Sequence, residues 1–162
     1  MTNEQYQAKN WLMRLSDYAQ KVNAEKRTLE MLQTRLYRGI ANYENYTGRK
    51  DPLTARAAHE DALIEVSEQA ARVEKAQKEY IAELTITREV LEALPAHFRP
   101  LAIDRYINGL KWGQLEKTYP YSIAELYRQN NVILEHVAEI LNAKKTPLII
   151  TPDKRTQEAA AV

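Results

Sequence analysis

The sequence is poor in residues that interrupt long helices and has none that bind metals through sulfur. It contains no cysteine, four glycines and six prolines in 162 residues. The absence of cysteine excludes disulfides, thiolate catalysis and cysteine-ligated zinc sites. So few glycines and prolines over this length favour long helices over short strands joined by turns.

Long apolar runs are also missing. No segment approaches the roughly 18 apolar residues that a membrane-spanning helix needs. The first ten residues lack the apolar centre of a signal peptide. We therefore expect a cytoplasmic protein with no membrane partner. The net charge is +1, so local charge patches must decide whether nucleic acid is a partner.

Sequence motifs typical of enzymes are absent too. The chain has no glycine-rich phosphate loop, no nucleophile elbow and no motif of metal ligands. Its three histidines, His59, His97 and His136, are far apart in the sequence. We expect no enzymatic activity, no catalytic residue, no cofactor and no metal site.

The N-terminal segment has the periodicity of a coiled coil. Between residues 3 and 46 the apolar spacing alternates near three and four, with an interruption at Glu25, which predicts one long helix. Its seam consists of Trp11, Leu15, Tyr18, Val22, Leu29, Leu32, Leu36, Ile40 and Tyr43.

A second periodic segment follows a break at Gly48 and Pro52, and it ends at Pro95 and Pro100. Its seam consists of Val66, Ala70, Val73, Gln77, Tyr80, Leu84, Thr87, Leu91 and Leu94. Two long amphipathic helices joined by a short polar loop predict an antiparallel coiled-coil hairpin over residues 1–95.

The charges of the two segments are complementary. Residues 26–56 have a balance of +4 and residues 60–92 a balance of −5. We interpret the basic arm as the partner of the acidic one, with a nucleic-acid contact at the hairpin tip, around Arg49 and Lys50, as the alternative.

Residues 96–145 predict a small three-helix domain. The first helix runs from about Pro100 to Asn108 and ends at Gly109, and the second is short, from about Lys111 to Thr118. Ser122 and Glu125 form an S-x-x-E capping box at the start of the third helix. The tail, residues 146–162, is predicted to be extended or disordered, with Leu148, Ile149 and Ile150 as a small docking strand.

A short helix, a tight turn and a longer helix form a helix-turn-helix pattern. On the third helix Leu126, Ile133, Val137 and Ile140 share one inward stripe. Tyr106, Trp112 and Tyr121 are expected in the core. The opposite face and the flanking bases are the predicted DNA-binding residues: Arg105, Lys111, Lys117, Ser122, Ala124, Glu125, Arg128 and Asn131.

The string from Arg105 to Leu115, followed by Tyr121-Ser122 and Tyr127-Arg128, resembles the sigma-70 region 4-like helix-turn-helix. More narrowly, it is similar to small phage-encoded transcriptional regulators of Gram-positive bacteria. The resemblance implies a regulator in the bacterial host cell that binds double-stranded promoter DNA. It also implies action with host RNA polymerase on phage late genes.

Two features depart from that pattern. Glu116 replaces a small alanine, so either its carboxylate points outward or the two helices lie further apart. Residues 100–145 hold six bases and five acids, a weak positive balance for a DNA-binding domain. Two alternatives therefore stay open: a small terminase-like DNA-packaging protein, or a protein-interaction module with a degenerate helix-turn-helix. A homo-oligomer is possible in each.

Overall fold

The computed structural model describes residues 1–44 and 52–144. Within these ranges the regular structure is entirely helical, so the prediction of an all-α fold with two long packed helices is confirmed. None of the described helices combines the length and the apolar character needed to cross a membrane.

Within residues 1–44 and 52–144, five α-helices and one π-helical segment follow one another. They are α1 (Asn3–Glu44), α2 (Pro52–Glu92), α3 (Arg99–Ala102), the π-helical segment (Ile103–Ile107), α4 (Trp112–Thr118) and α5 (Ile123–Ala143). Pro52 is the first residue of α2, as expected of a residue with no backbone N–H to donate.

The helices form two compact units. The first joins Met1–Ser16 to the chain from Glu83 onward, and the second is Asp17–Ala82. The predicted boundary between residues 95 and 96 stays a prediction about independent folding. The division shows, however, that the two ends of the predicted hairpin belong with the C-terminal helices.

In the second unit α1 and α2 run antiparallel. Lys21 pairs with Glu79 at 3.3 Å, and further along α1 the Glu25 carboxylate accepts a hydrogen bond from Gln69. As the residue number rises along α1, from 21 to 25, the number of its partner on α2 falls, from 79 to 69. The two helices therefore run in opposite directions. Val22 and Val73 are buried in the predicted seams.

Around Glu25 the predicted seam of α2 is wrong by one residue. Ala70 is exposed, whereas Gln69 is 5% exposed. The physical reason is the interruption at Glu25, since a polar seam residue needs a polar partner across the interface. Gln69 Nε2 supplies it by donating to both the backbone oxygen and the carboxylate of Glu25.

The interhelical ion pairs of the described residues only partly follow the predicted charge complementarity. Their acids, Glu79 and Glu83, lie in the acidic segment. Their bases, Lys21 and Arg14, precede the basic segment of residues 26–56. The loop that contains Arg49 and Lys50 lies outside the described residues, as do the tail 146–162 and its predicted strand.

The described residues of the first unit share one apolar core, to which each of the helical elements in this unit contributes. The buried members come from α1, α2, α3, the π-helical segment, α4 and α5: Ala8, Trp11, Leu12, Val90, Leu91, Leu94, Leu101, Ala102, Tyr106, Leu115, Leu126, Ile133, Leu134, Val137, Ala138 and Leu141. The C-terminal helices therefore share their core with the ends of both long helices.

This shared core predicts that Leu91→Ala destabilises the first unit by about 2–5 kcal/mol, because a fully buried leucine leaves a cavity. Urea unfolding followed by tryptophan fluorescence measures the loss, since Trp11 and Trp112 both lie in this unit. Leu63→Ala, at a side chain that is 46% exposed, is the matched control and should change the free energy of unfolding far less. Equal effects of the two variants would contradict the shared core.

Candidate nucleic-acid interface

The segment before α4 ends in a sharp change of direction. Gly109 has a φ of +70°, in the left-handed region that L side chains rarely adopt. It follows the π-helical segment, where the Asn108 N–H donates to the Ile103 carbonyl oxygen at 2.9 Å. The predicted stop at Gly109 is therefore confirmed. The single α-helix predicted from Pro100 to Asn108 is wrong in its second half, where bonds span five residues instead of four.

Tyr106 links the π-helical segment to α5 inside the core. Its hydroxyl donates to Asn130 Oδ1 at 2.5 Å, and the two residues are 7% and 5% exposed. Burial raises the pKa of Tyr106 to about 12. The pair fixes the position of α5 by a directional bond as well as by apolar contact.

The short helix α4 is anchored at both ends. At its start the Lys111 backbone N–H donates to Gln114 Oε1 at 2.9 Å. After its end the Tyr119 hydroxyl donates to Asp104 Oδ2 at 2.6 Å, and burial together with this carboxylate raises the pKa of Tyr119. Leu115 is fully buried, while Glu116 is exposed and points outward as predicted.

The start of α5 is capped by Ser122. Its hydroxyl accepts a hydrogen bond from the Glu125 backbone N–H at 3.3 Å, as the capping-box prediction requires. The second half of that prediction is wrong, because the Glu125 carboxylate turns along the helix instead of back to Ser122. It accepts hydrogen bonds from Arg128 and Gln129, which compete for the same oxygens.

Glu125 and Arg128 form a two-point ion pair. Arg128 Nε donates to one carboxylate oxygen at 3.0 Å and Nη2 donates to the other at 2.8 Å. The hydrogen bonds from Arg128 hold the pKa of the Glu125 carboxyl below its ordinary value, and the same contacts raise the pKa of Arg128. The Arg128 side chain is nonetheless 77% exposed. The contacts of Arg128 therefore show a pairing with Glu125.

Arg105 is held against an aromatic stack. Its guanidinium lies 4.7 Å from the Trp112 ring centroid, and the Trp112 and Tyr127 rings are 4.7 Å apart. Arg105 Nη1 donates to the Leu110 carbonyl oxygen at 3.0 Å. Its Nε is buried without a hydrogen-bond partner. Arg105 is therefore a packed residue of the fold, and only part of its guanidinium reaches the surface.

The N-terminus of α1 lies beside the middle of α5. Gln5 Nε2 donates to the Asn131 carbonyl oxygen at 3.3 Å and to a Glu135 carboxylate oxygen at 2.7 Å. Gln5 is 5% exposed, and Asn131 is half-buried. Of the predicted DNA-reading residues of α5, those that are fully exposed therefore lie in its first two turns, before Asn131.

The structure separates the eight predicted residues into two groups. Those that are exposed are Lys111, Lys117, Ser122, Ala124 and Arg128, and those that are half-buried are Arg105, Glu125 and Asn131. One group lies at the start of α5: the cap Ser122, followed by Ala124, Glu125 and Arg128 in the first two turns. The two lysines lie at the start and in the last turn of α4.

A shallow groove of about 340 Å³ borders the first turns of α5. Its walls are formed by α5, the turn before it and the segment after α2, through His97, Phe98, Tyr121, Glu125, Arg128, Gln129 and Val132. Tyr121 is 40% exposed here, so its predicted place in the core is wrong. Its position in the turn before the helix keeps the ring outside the buried stripe.

Two residues that hold this site were missed in the sequence. Asn130 is a lone polar residue within the buried stripe of α5, which is a signal that it needs an internal partner. Gln5 gave no such signal, because its partners lie about 130 residues away in the chain. Comparisons with protein-family models, with curated proteins and with solved structures gave no match.

The buried tyrosine predicts a loss of stability at alkaline pH. An unfolded tyrosine ionises near pH 10.0 and folded Tyr106 near 12, so between these values the unfolded chain releases a proton that the folded chain retains. The stabilising contribution of Tyr106 is complete below pH 10.0 and is lost as the pH rises to about 12.

Urea unfolding at a series of pH values measures this loss. In Tyr106→Phe the decline should be shallower, with the part due to Tyr119 remaining. At neutral pH the variant should be less stable by about 1–3 kcal/mol, because the buried Asn130 oxygen loses its donor. Tyr37→Phe, at a side chain 70% exposed, is the control. An identical pH profile in wild type and Tyr106→Phe would contradict the assignment.

Proposed function

We propose that this chain is a phage-type transcription regulator that binds promoter DNA through α4 and α5 and acts with host RNA polymerase on late genes. The observation that carries the proposal is the arrangement around α5. A helix of seven residues, a four-residue turn and a helix of 21 residues follow one another. The apolar stripe of α5 is buried, and the opposite side of its first two turns is exposed.

The exposed residues have chemistry suited to a major groove. Arg128 matches the O6 and N7 acceptors of guanine, and the small Ala124 side chain suits a thymine methyl group. Ser122 and the first backbone N–H groups of α5 suit a phosphate. Lys111 and Lys117 add phosphate contacts from α4.

The resemblance to the sigma-70 region 4-like helix-turn-helix supports the promoter and polymerase parts of the proposal. That resemblance covers about 40 residues at the C-terminal side. The strings that carry it lie in the π-helical segment, α4, the turn and the first two turns of α5. The late-gene role depends on the resemblance alone.

One observation favours a second candidate, a protein-interaction module. Tyr121, Ile123 and Tyr127 are 40%, 37% and 48% exposed at the start of α5. Exposed aromatic residues beside a charge-paired arginine also suit a protein partner. The terminase-like alternative requires a ring of subunits, and the mass in solution distinguishes it from a monomer or dimer.

The proposal is tested with short duplexes that tile the promoters of the genome encoding this chain, at two salt concentrations. A regulator should bind one tile much more tightly than the others. The two exposed lysines of this surface, Lys111 and Lys117, give a slope of log affinity against log salt of about −2 per monomer. Weak, equal binding to every tile would contradict the proposal and favour the protein-interaction module.

Arg128→Ala should weaken binding to the specific tile by about 1–3 kcal/mol, because a bidentate base contact is lost. The circular dichroism spectrum should not change, since the side chain is exposed. Arg72→Ala removes the same charge at an exposed position of α2 and is the matched control. Equal effects of the two variants would show that Arg128 contributes charge alone.

A further inference from the structure

We propose that Glu125 is a positioning residue for DNA reading: it holds Arg128 by one edge of the guanidinium and leaves the other edge free for a guanine. The inference depends on the proposed function and deepens it, because it assigns a role to an acid that otherwise opposes DNA binding. It starts from which nitrogens of Arg128 the carboxylate uses.

A guanidinium has five N–H donors, one on Nε and two on each Nη nitrogen. The carboxylate of Glu125 accepts from Nε and from Nη2, which form the side edge of the group. Both N–H groups of Nη1 and one of Nη2 are left over. A guanine takes two parallel donors on O6 and N7, and the free end of the fork supplies that pair.

A residue that positions another should be more buried than the residue it holds, and Glu125 and Arg128 differ in this way. The Glu125 side chain is 31% exposed and that of Arg128 is 77% exposed. Gln129 Nε2 donates a third hydrogen bond to the Glu125 carboxylate at 3.3 Å, so the acid is held from two sides. Glu125 also lies in the first turn of α5, where the helix dipole favours a negative charge. A fixed acid thus supports an exposed, oriented base.

Orientation and charge predict opposite results when Glu125 is removed. If only charge matters, Glu125→Ala removes a repulsion toward phosphate and every duplex binds more tightly. If Glu125 orients Arg128, the same variant loses discrimination at one guanine, because the freed side chain must be ordered when DNA binds. The readout is therefore sensitivity to a single atom of the base.

The experiment uses the full chain and the specific duplex found by tiling, with each guanine replaced singly by 7-deazaguanine, which lacks the N7 acceptor. In the wild type one replacement should weaken binding by about tenfold, as expected for the loss of one half of a bidentate contact. In Glu125→Ala the same replacement should change affinity by less than about twofold. Glu125→Gln retains one oxygen acceptor and should give an intermediate value.

Glu116→Gln is the matched control, because it removes one exposed negative charge from α4 and should keep the full sensitivity. In Arg128→Ala, adding Glu125→Ala should have no further effect on the response to 7-deazaguanine. Full sensitivity in both Glu125→Ala and Glu125→Gln, or no sensitive guanine in a wild type that binds specifically, overturns the inference alone. A wild type that binds no duplex specifically overturns the proposed function, and the inference with it.

Discussion

Burial of the apolar stripe of α5 is the constraint on which the first unit depends. Leu126, Ile133, Leu134, Val137 and Leu141 are all inaccessible to solvent. A single short helix such as α4 cannot cover a stripe that extends over about four turns. The N-terminal end of α1 and the C-terminal end of α2 complete the cover, and this unit is therefore built from two separate parts of the sequence.

The same constraint determines how the polar groups inside the core are satisfied. Asn130 lies within the stripe, so it is carried into the interior and receives its hydrogen bond from Tyr106. Thr87 is buried on α2, and its hydroxyl donates to the Glu83 carbonyl oxygen one turn earlier. Buried polar groups with partners cost little, and they restrict the helices to one register.

The outward face of α5 has little excess positive charge, and this affects what kind of DNA binding it could support. The guanidinium of Arg128 is already paired, and Asn131 is half-buried next to Gln5. Affinity for any duplex depends mainly on phosphate neutralisation, whereas the choice of sequence depends on oriented donors. A surface with one oriented guanidinium and few unpaired cations suits selective binding that a second protein assists. This agrees with the proposed action beside RNA polymerase.

The sequence by itself determined the helices and most of their ends. Apolar spacing predicted both long helices, and residue type predicted the stop at Gly109 and the cap at Ser122, because these depend on residues close together in the chain. Helical geometry predicted the outward direction of Arg128, and the cost of burying a carboxylate predicted that of Glu116. The resemblance to sigma-70 region 4 remains a prediction.

Only the tertiary structure decided which residues meet across long distances in the chain. Gln69 replaced Ala70 in the seam because Glu25 on the other helix needed a donor. Gln5, near the start of α1, donates a hydrogen bond to Glu135 of α5. The N-terminal end of α1 and the C-terminal end of α2 both contribute to the core of the C-terminal helices. Local periodicity shows that a face must be buried. It does not show against what, because many partners can bury the same apolar stripe and packing selects one.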